Sequence, residues 1–346
     1  TLARVPADAG GPDGAVRKFF EPVIVSACNL SVQRVAADAA LHVFQEALLE
    51  SRRGGAIGVP RVPLVRLYDG AAELLARAGG SIVLGASVER FDATSVTLAS
   101  GQTLRAGAVV CALPFERASS AADAGVRASD PRFTMIDALD GLGHSPILGV
   151  HLRFDRPVLD VPHAVLVDRP TQWLFVREDP TDDRPRGAAL HAVISAADEW
   201  MALSEEQIVA RVMDDVRACL PEVFGDKGDR PDAPRLLHAR AVKEKRATFV
   251  CSPEARRCRP TTLCDPDRAG RTGEALGVVL AGDYVQTGWP ATMESAARAG
   301  YMAAAGVLGL APEALLVPPL RPEGLARAAL ALRRIGGVAT ADDDAD

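Results

Sequence analysis

The sequence predicts an α/β fold joined to an α+β part built on an antiparallel sheet, and three observations carry that expectation. Two short apolar runs, Ala108–Ala112 and Gly277–Ala281, read as strands buried on both faces, as in a parallel sheet. The second run leads directly through a loop into a helical pattern, the layout of a strand–helix unit. Between them, residues 147–154 alternate, with Leu148, Val150, Leu152 and Phe154 on one face and Ile147, Gly149, His151 and Arg153 on the other.

The chain opens in a loop-like stretch, Pro6 to Gly14. Ser31 is placed to cap a helix whose apolar positions Val32, Val35, Ala36, Ala39, Val43 and Leu48 keep helical spacing, ending at Gly54-Gly55. A Pro-marked extended piece and a short helix at 70–78 come next, stopped by Gly79-Gly80. Short β segments are expected at Ile82–Leu84, Ser87–Phe91, Ser95–Leu98 and Thr103–Leu104, with a tight turn at Ser100-Gly101, before the apolar strand Ala108–Ala112. In the antiparallel part, Ala164–Val167, Trp173–Val176 and Ala189–Ile194 read as partners of residues 147–154. A capping box, Ser204-x-x-Gln207, then starts a helix striped by Ile208, Val212, Val216 and Leu220. Leu237–Lys243 is another strand, Pro290 to Gly306 a helix, and Glu323–Ile335 a final helix before a disordered acidic tail, Ala341–Asp346.

The composition excludes several function classes. A net charge of −6, with the basic residues scattered among acids, gives no nucleic-acid-binding face. No apolar run reaches the roughly 18 residues a membrane span needs, which leaves peripheral contact open. Six cysteines at irregular spacing point to reduced thiols and a cytoplasmic protein. Cys251, Cys258 and Cys264 match no zinc pattern, so no metal is expected.

Chemistry concentrates in Val278-Val-Leu-Ala-Gly-Asp283 and the loop and helix beyond it. Gly282 allows close backbone approach to a phosphate or ribityl chain, and Asp283 can accept hydrogen bonds from its hydroxyls. Pro290 suits the first position of a helix. The helix start would then present the N–H groups of Ala291, Thr292, Met293 and Glu294, and the positive end of its dipole, to a reduced flavin's anionic edge. A plain strand–turn–helix connection is the alternative reading.

The run from Gly282 through Glu294 resembles the C-terminal FAD-binding motif of the flavin-dependent amine oxidase and carotenoid desaturase superfamily. That resemblance implies a FAD/NAD(P)-binding Rossmann-like fold with an interleaved antiparallel-sheet substrate domain. It also implies cofactor contacts at Val88, through its backbone, and along the strand Val109-Val-Cys-Ala-Leu-Pro114, hence at Cys111, Leu113 and Pro114, in addition to Gly282, Asp283 and Trp289 through Met293. Ser145 to Pro157, Pro162 to Val167, Gln172 to Phe175, Lys243 to Phe249 and Phe20 to Asn29 are similar to the hydroxysqualene dehydroxylase branch, the squalene-associated FAD-dependent desaturases. The family opens with a strand–Gly-x-Gly-x-x-Gly–helix unit, and none is found here; Gly141-x-Gly143 leads into Pro146 and a strand. The chain is therefore expected to be a fragment lacking the first βαβ unit.

On that layout residues 1–80 form the helical part of the substrate domain and 81–118 strands of the FAD domain. Residues 119–270 form the substrate domain proper, 271–310 the C-terminal FAD-binding strand–loop–helix, and 311–346 the last helix and tail. The implied reaction is reductive dehydroxylation of hydroxysqualene to squalene, a hopanoid and sterol precursor. The alternatives are a phytoene-type carotenoid desaturase, or a non-catalytic lipid-binding remnant. A long-chain isoprenoid substrate, contact with upstream squalene-pathway enzymes and a peripheral position on the inner face of the cytoplasmic membrane are implied by the same resemblance. Trp173, Phe175, Leu148, Val150 and Leu152 are expected to line a tunnel. His151, Tyr284 and Lys243 are the candidate catalytic side chains, with none assigned as the acid.

Overall fold

The computed structural model describes residues 12–49, 54–60, 62–122, 134–177, 185–225, 230–262 and 278–318. The predicted helix at 323–335, the acidic tail and Cys264 lie outside these residues. Of the loop-like opening expected at Pro6 to Gly14, residues 6–11 lie outside the described residues and the rest is helical. Pro12–Ala15 and a π turn, Val16–Phe20, run into helix α1, Glu21–Cys28, whose second residue is Pro22. Asn29 ends α1 in the left-handed conformation (φ 51°), which a short polar side chain tolerates.

A helix capped by Ser31 does not form. The Ser31 carbonyl accepts from the N–H groups of Arg34 and Val35 at 3.0 Å, and helix α2 begins only at Ala37, running to Phe44. A tertiary bond decides the start, because Ala36 N–H donates to the Cys251 carbonyl (2.8 Å). Helix α3, Ala71–Arg77, ends near Gly79 (φ 78°) as its glycines predict.

Three strands, β1 Val88–Phe91, β2 Ser95–Leu98 and β3 Thr103–Arg105, form an antiparallel meander. The Asp92 carboxylate holds the first turn by accepting from the N–H groups of Thr94 and Ser95, both at 2.7 Å. Ile82–Leu84, expected to be a strand, stays outside the sheet. No described segment pairs with it and its side chains are exposed, so apolar composition alone does not make it β.

Strand β4, Val109–Cys111, precedes helix α4, Phe115–Ala121, which starts after Pro114. The antiparallel sheet contains β5 His144–Phe154, β6 His163–Val165, β7 Trp173–Val176, β8 Ala189–Ser195 and β9 Leu236–Phe249, in the order β6-β7-β8-β5-β9. Leu148, Val150, Leu152 and Phe154 are fully buried against helix α5, Glu205–Cys219, on Ile208, Val212 and Val216. Each such side chain contributes about 1.5–3 kcal/mol. The capping box at α5 is complete in both directions.

Strand β9 is longer than the apolar pattern at Leu237–Lys243 suggests. Its second half is mostly polar yet pairs with the start of β5, Ser145 opposite Thr248 and His144 opposite Phe249. After helix α6, Pro253–Cys258, strand β10, Val278–Leu280, runs parallel to β4, with Val279 opposite Val110. Only β10 is buried on both faces: Val279 is fully buried, but Val110 is 45% exposed. Helix α7, Met293–Val307, comes after it, with Thr292 as its cap. Pro290 therefore lies before the helix, not at its first position, because Thr292 Oγ1 takes the N–H of Ser295 (3.1 Å) and fixes the start.

Candidate functional site

Strands β4 and β10 end at the same edge, and Ala281 N–H still donates to the Cys111 carbonyl (3.0 Å). One step further the chain leaves the sheet at Leu113-Pro114 and at Gly282-Asp283. This carboxyl-end edge is where open α/β sheets take ligands. Gly282 is required sterically: a Cβ there would lie 2.4 Å from Cε1 of the buried Tyr284 ring.

The loop after Gly282 is held by a residue from elsewhere. Arg259, next to α6, donates through Nε to the Tyr284 carbonyl (3.1 Å). Through Nη2 it donates to the carbonyls of Asp283 (3.2 Å), Val285 (2.5 Å) and Trp289 (2.9 Å). Its guanidinium also stacks over Phe249, 4.8 Å from the ring centre. Ser295 Oγ donates to the Asp283 carbonyl (2.8 Å), tying the loop to the first turn of α7. The N–H groups of Met293 and Glu294 have no hydrogen-bond partner among the described residues and point along the helix start.

A cavity of about 270 Å³ opens beside Asp283, lined also by Pro114, Phe115, Glu116, His144 and Phe249. Burial pushes the Asp283 carboxyl above the usual carboxylate range, against the pull of Arg259. Glu116 Oε2 and His144 Nδ1 are buried without hydrogen-bond partners, 3.7 Å separating His144 Nε2 from the Glu116 carboxylate. The His144 ring stacks on Phe115 (4.5 Å). A second cavity of similar volume lies across Phe249, between α2, the 251–259 segment and the 286–290 loop.

The sequence-predicted residues distribute unevenly around these cavities. Asp283 and Pro114 share the first; Cys111 is buried and Leu113 half-buried, and neither lines it. Trp289 and Pro290 line the second, with Ala291 and Thr292 half-buried just beyond and Met293 exposed. The Val88 carbonyl accepts from Arg117 of α4 (3.2 Å), which ties β1 to the same region.

The three candidate catalytic side chains do not gather there. Tyr284 is buried in the core behind Phe115, its hydroxyl unpartnered and its ionisation suppressed by burial. Lys243 lies on the core side of the sheet, donating to the carbonyls of Met201 (3.0 Å) and Leu203 (2.5 Å) at the turn before α5. His151 sits seven residues along β5 from His144, roughly 23 Å at strand rise, stacked on His191 at 4.3 Å.

The expected tunnel residues separate by face. Leu148, Val150 and Leu152 are sealed core, a correction whose cause is α5 covering their side of the sheet. Trp173 and Phe175 lie on the opposite face, stacked at 5.6 Å and half-exposed, with Trp173 Nε1 donating to Ser26 of α1 (2.6 Å). On that face one register line crosses the strands through His163, Phe175, His191, His151 and Arg240.

Arg259, Asn29, His144 and Glu116 were not legible as site residues. None belongs to a local motif at short spacing; each reaches its partner across long stretches of chain. Buried Asn29 makes the most of that reach. Its Nδ2 donates to the Ser145 carbonyl and to Thr248 Oγ1 (both 2.9 Å), its Oδ1 accepts from Ala196 N–H (2.6 Å), and its own carbonyl accepts from Ser145 Oγ (2.6 Å).

The family profile described as flavin containing amine oxidoreductase matches residues 4–308. A hydroxysqualene dehydroxylase of Zymomonas mobilis is 27% identical over 300 residues, covering 83% of this chain and 62% of that protein. A 15-cis-phytoene desaturase of Synechococcus elongatus is 25% identical over 288 residues, covering 79% of this chain and 57% of its own length. The chain thus spans about three-fifths of the curated relatives it matches. The solved structure of an oxidoreductase from Methanosarcina mazei shares the fold, with a TM-score of 0.58 at 14% identity over 84% of this chain and 64% of the other.

Proposed function

Because this chain belongs to the flavin containing amine oxidoreductases, an FAD-dependent oxidoreductase family, we propose that it contributes the ribityl and flavin-ring side of an FAD site. We further propose that the reaction is reductive dehydroxylation of hydroxysqualene to squalene. The observation that carries the reading is the meeting of Leu113-Pro114 and Gly282-Asp283 at one sheet edge, with Asp283 facing a polar cavity.

The residues present fit the cofactor. A desolvated carboxylate such as Asp283, near its own and the Tyr284 backbone N–H groups, gains further from a ligand that brings hydroxyl groups, and a ribityl chain does. Arg259 fixes the loop that carries Asp283, so the carboxylate is positioned before any ligand arrives. The free N–H groups at the start of α7 offer a positive dipole end to an anionic ring edge. The flavin, when bound, supplies hydride chemistry to a carbon of the substrate. The chain's own part is to hold a long apolar molecule against it and exclude water. Trp173 and Phe175, on the open face of the antiparallel sheet and half-covered by α1, suit that task.

A phytoene-type desaturase is the second reading, supported by the Synechococcus elongatus relative at nearly the same identity. A product assay separates them. The product of the full reading frame, with reduced FAD and hydroxysqualene, should form squalene detectable by gas chromatography and mass spectrometry. Turnover of phytoene with no squalene would overturn the first reading. Neither activity, with flavin bound, would favour a lipid-binding role.

A further inference from the structure

A third cavity, of about 460 Å³, shares no lining residue with the two beside Phe249. It lies between the start of α1 with the π turn before it, the turn that joins β6 to β7, and the end of β8. Arg17, Glu21, Val165, Asp168, Arg169 and Ala196 are among its walls. Asp168 (φ 59°) and Ala196 (φ 50°) are left-handed without being glycine. The one other such residue among those described, Asn29, holds Ala196 in place by accepting its N–H (2.6 Å). Backbone kept in this costly region collects where ligands are clamped.

The ionised side chains of the walls define the ligand. Gln172 is spent on Ser195, its amide donating to the carbonyl (3.1 Å) and accepting from the N–H (2.9 Å). Two arginines and two carboxylates remain, Arg17 and Arg169 with Glu21 and Asp168. Arg17 meets Asp168 through Nε alone (2.9 Å). Arg169 reaches Asp215 only at 3.9 Å, beyond hydrogen-bond range, and Asp215 already accepts from Thr171 N–H (3.0 Å). Both guanidiniums therefore keep donors to spare for a phosphate. The Glu21 carboxylate has no side-chain partner among the described residues. A simple anion would meet Glu21 and a simple cation would meet the arginines, so the balance of charge suits a ligand that carries both signs on a short linker. The surroundings are apolar and open. Val16 and Phe20, next to Arg17 and Glu21, are exposed, and so are Val165 and Val167 on the turn that carries Asp168.

We propose that this cavity binds the headgroup of an ethanolamine phospholipid and so docks this face of the protein on a bilayer. The phosphate goes to Arg17 and Arg169 and the ammonium to Glu21, while the exposed valines and Phe20 enter the acyl boundary. A primary ammonium donates hydrogen bonds to a carboxylate and a choline ammonium cannot, so the site prefers ethanolamine to choline. A net charge of −6 disfavours an anionic surface. The site stands apart from the flavin edge and from the reaction.

Vesicle flotation of the full-length product tests this with phosphatidylcholine alone and with phosphatidylcholine mixed equally with phosphatidylethanolamine or phosphatidylglycerol. Binding should be about three- to tenfold stronger with the ethanolamine lipid, between what an exposed ion pair and a charged hydrogen bond contribute. It should be weakest with the anionic one. Glu21→Gln should erase the ethanolamine preference and leave phosphatidylcholine binding in place. Val167→Asp should release the protein from every vesicle. Neither side chain is buried, so both variants should melt with the wild type, and the lipid series on the wild type stands whatever the variants do. Equal binding to phosphatidylcholine with and without the ethanolamine lipid, a preference that survives Glu21→Gln, or strongest binding to phosphatidylglycerol overturns the proposal. Calorimetric binding of free phosphoethanolamine by a protein that ignores vesicles also overturns it and assigns the cavity to a soluble ligand. A dimer in sedimentation that Val167→Asp dissolves, with no vesicle binding, overturns it in favour of a second copy of the chain.

Discussion

At the scale of single residues, the candidate site depends on Arg259 more than on any member of the recognisable motif. One guanidinium donates to four carbonyls of the loop that follows Gly282. Arg259→Met should cost about 2–4 kcal/mol, since buried carbonyls lose a charged donor. Arg259→Lys should recover less than half, because an ammonium cannot fork to several acceptors. Urea unfolding of both variants measures this. A second residue-scale prediction concerns pH. Burial, with the neighbouring His151 and Arg177, lowers the His191 pKa to about 4. The unfolded chain, with an ordinary histidine near 6.5, then binds more protons than the folded one between those values. Stability from this group is full above about pH 6.5 and is lost as pH falls toward 4. His191→Phe, which can still stack on His151, should flatten the urea midpoint across that window; an unchanged slope would show that the pair does not titrate this way. Gly282 and Asp283 were readable from sequence because a strand, a glycine and an acid are adjacent. Arg259 was not, because its partners lie 24–30 residues away and carbonyls carry no sequence signature.

At the scale of elements, Asn29 joins α1 to three strands at once, bonding at Ser145 of β5, Thr248 of β9 and Ala196 just after β8. Asn29→Ala would strand several buried polar groups and force a non-glycine, non-Asx residue into a left-handed conformation. A loss of about 3 kcal/mol or more is expected, with limited proteolysis cutting between α1 and β1 before the sheet opens. Simultaneous loss of sheet and helices would instead mark one cooperative unit. The elements with clean periodicity, α5 with its capping box and the β5 core face, were legible because local pattern and tertiary burial agree. Helix α1 was missed, and α2 was started too early. A turn at Ser31 and a bond to Cys251 override the apolar spacing there. The polar half of β9 was missed for the converse reason: its pairing with β5 is set by backbone bonds, and its side chains do not alternate in hydrophobicity.

At the scale of the whole molecule there are two hydrophobic cores, and the paired strands β5 and β9 run from one toward Phe249 in the other. One is the parallel pair with α4 and Tyr284; the other is the antiparallel sheet under α5. Phe249 lines both cavities, with Asp283 on one and Trp289 on the other. No helix among the described residues is long and apolar enough to cross a membrane. The central claim is that Asp283 holds a flavin at the end of the parallel pair. Its folded-state pKa is raised by burial, so the ionised carboxylate costs stability at neutral pH, and that cost falls away as pH drops toward the ordinary carboxylate range. A residue kept at such a cost is expected to serve a ligand. The most direct measurement is flavin absorbance near 450 nm per mole of protein in the full-length product and its Asp283→Ala variant, read beside each protein's Tm without added flavin. Most of the flavin should be lost while the Tm of the flavin-free protein is unchanged or higher. Equal flavin content in the two proteins would contradict it.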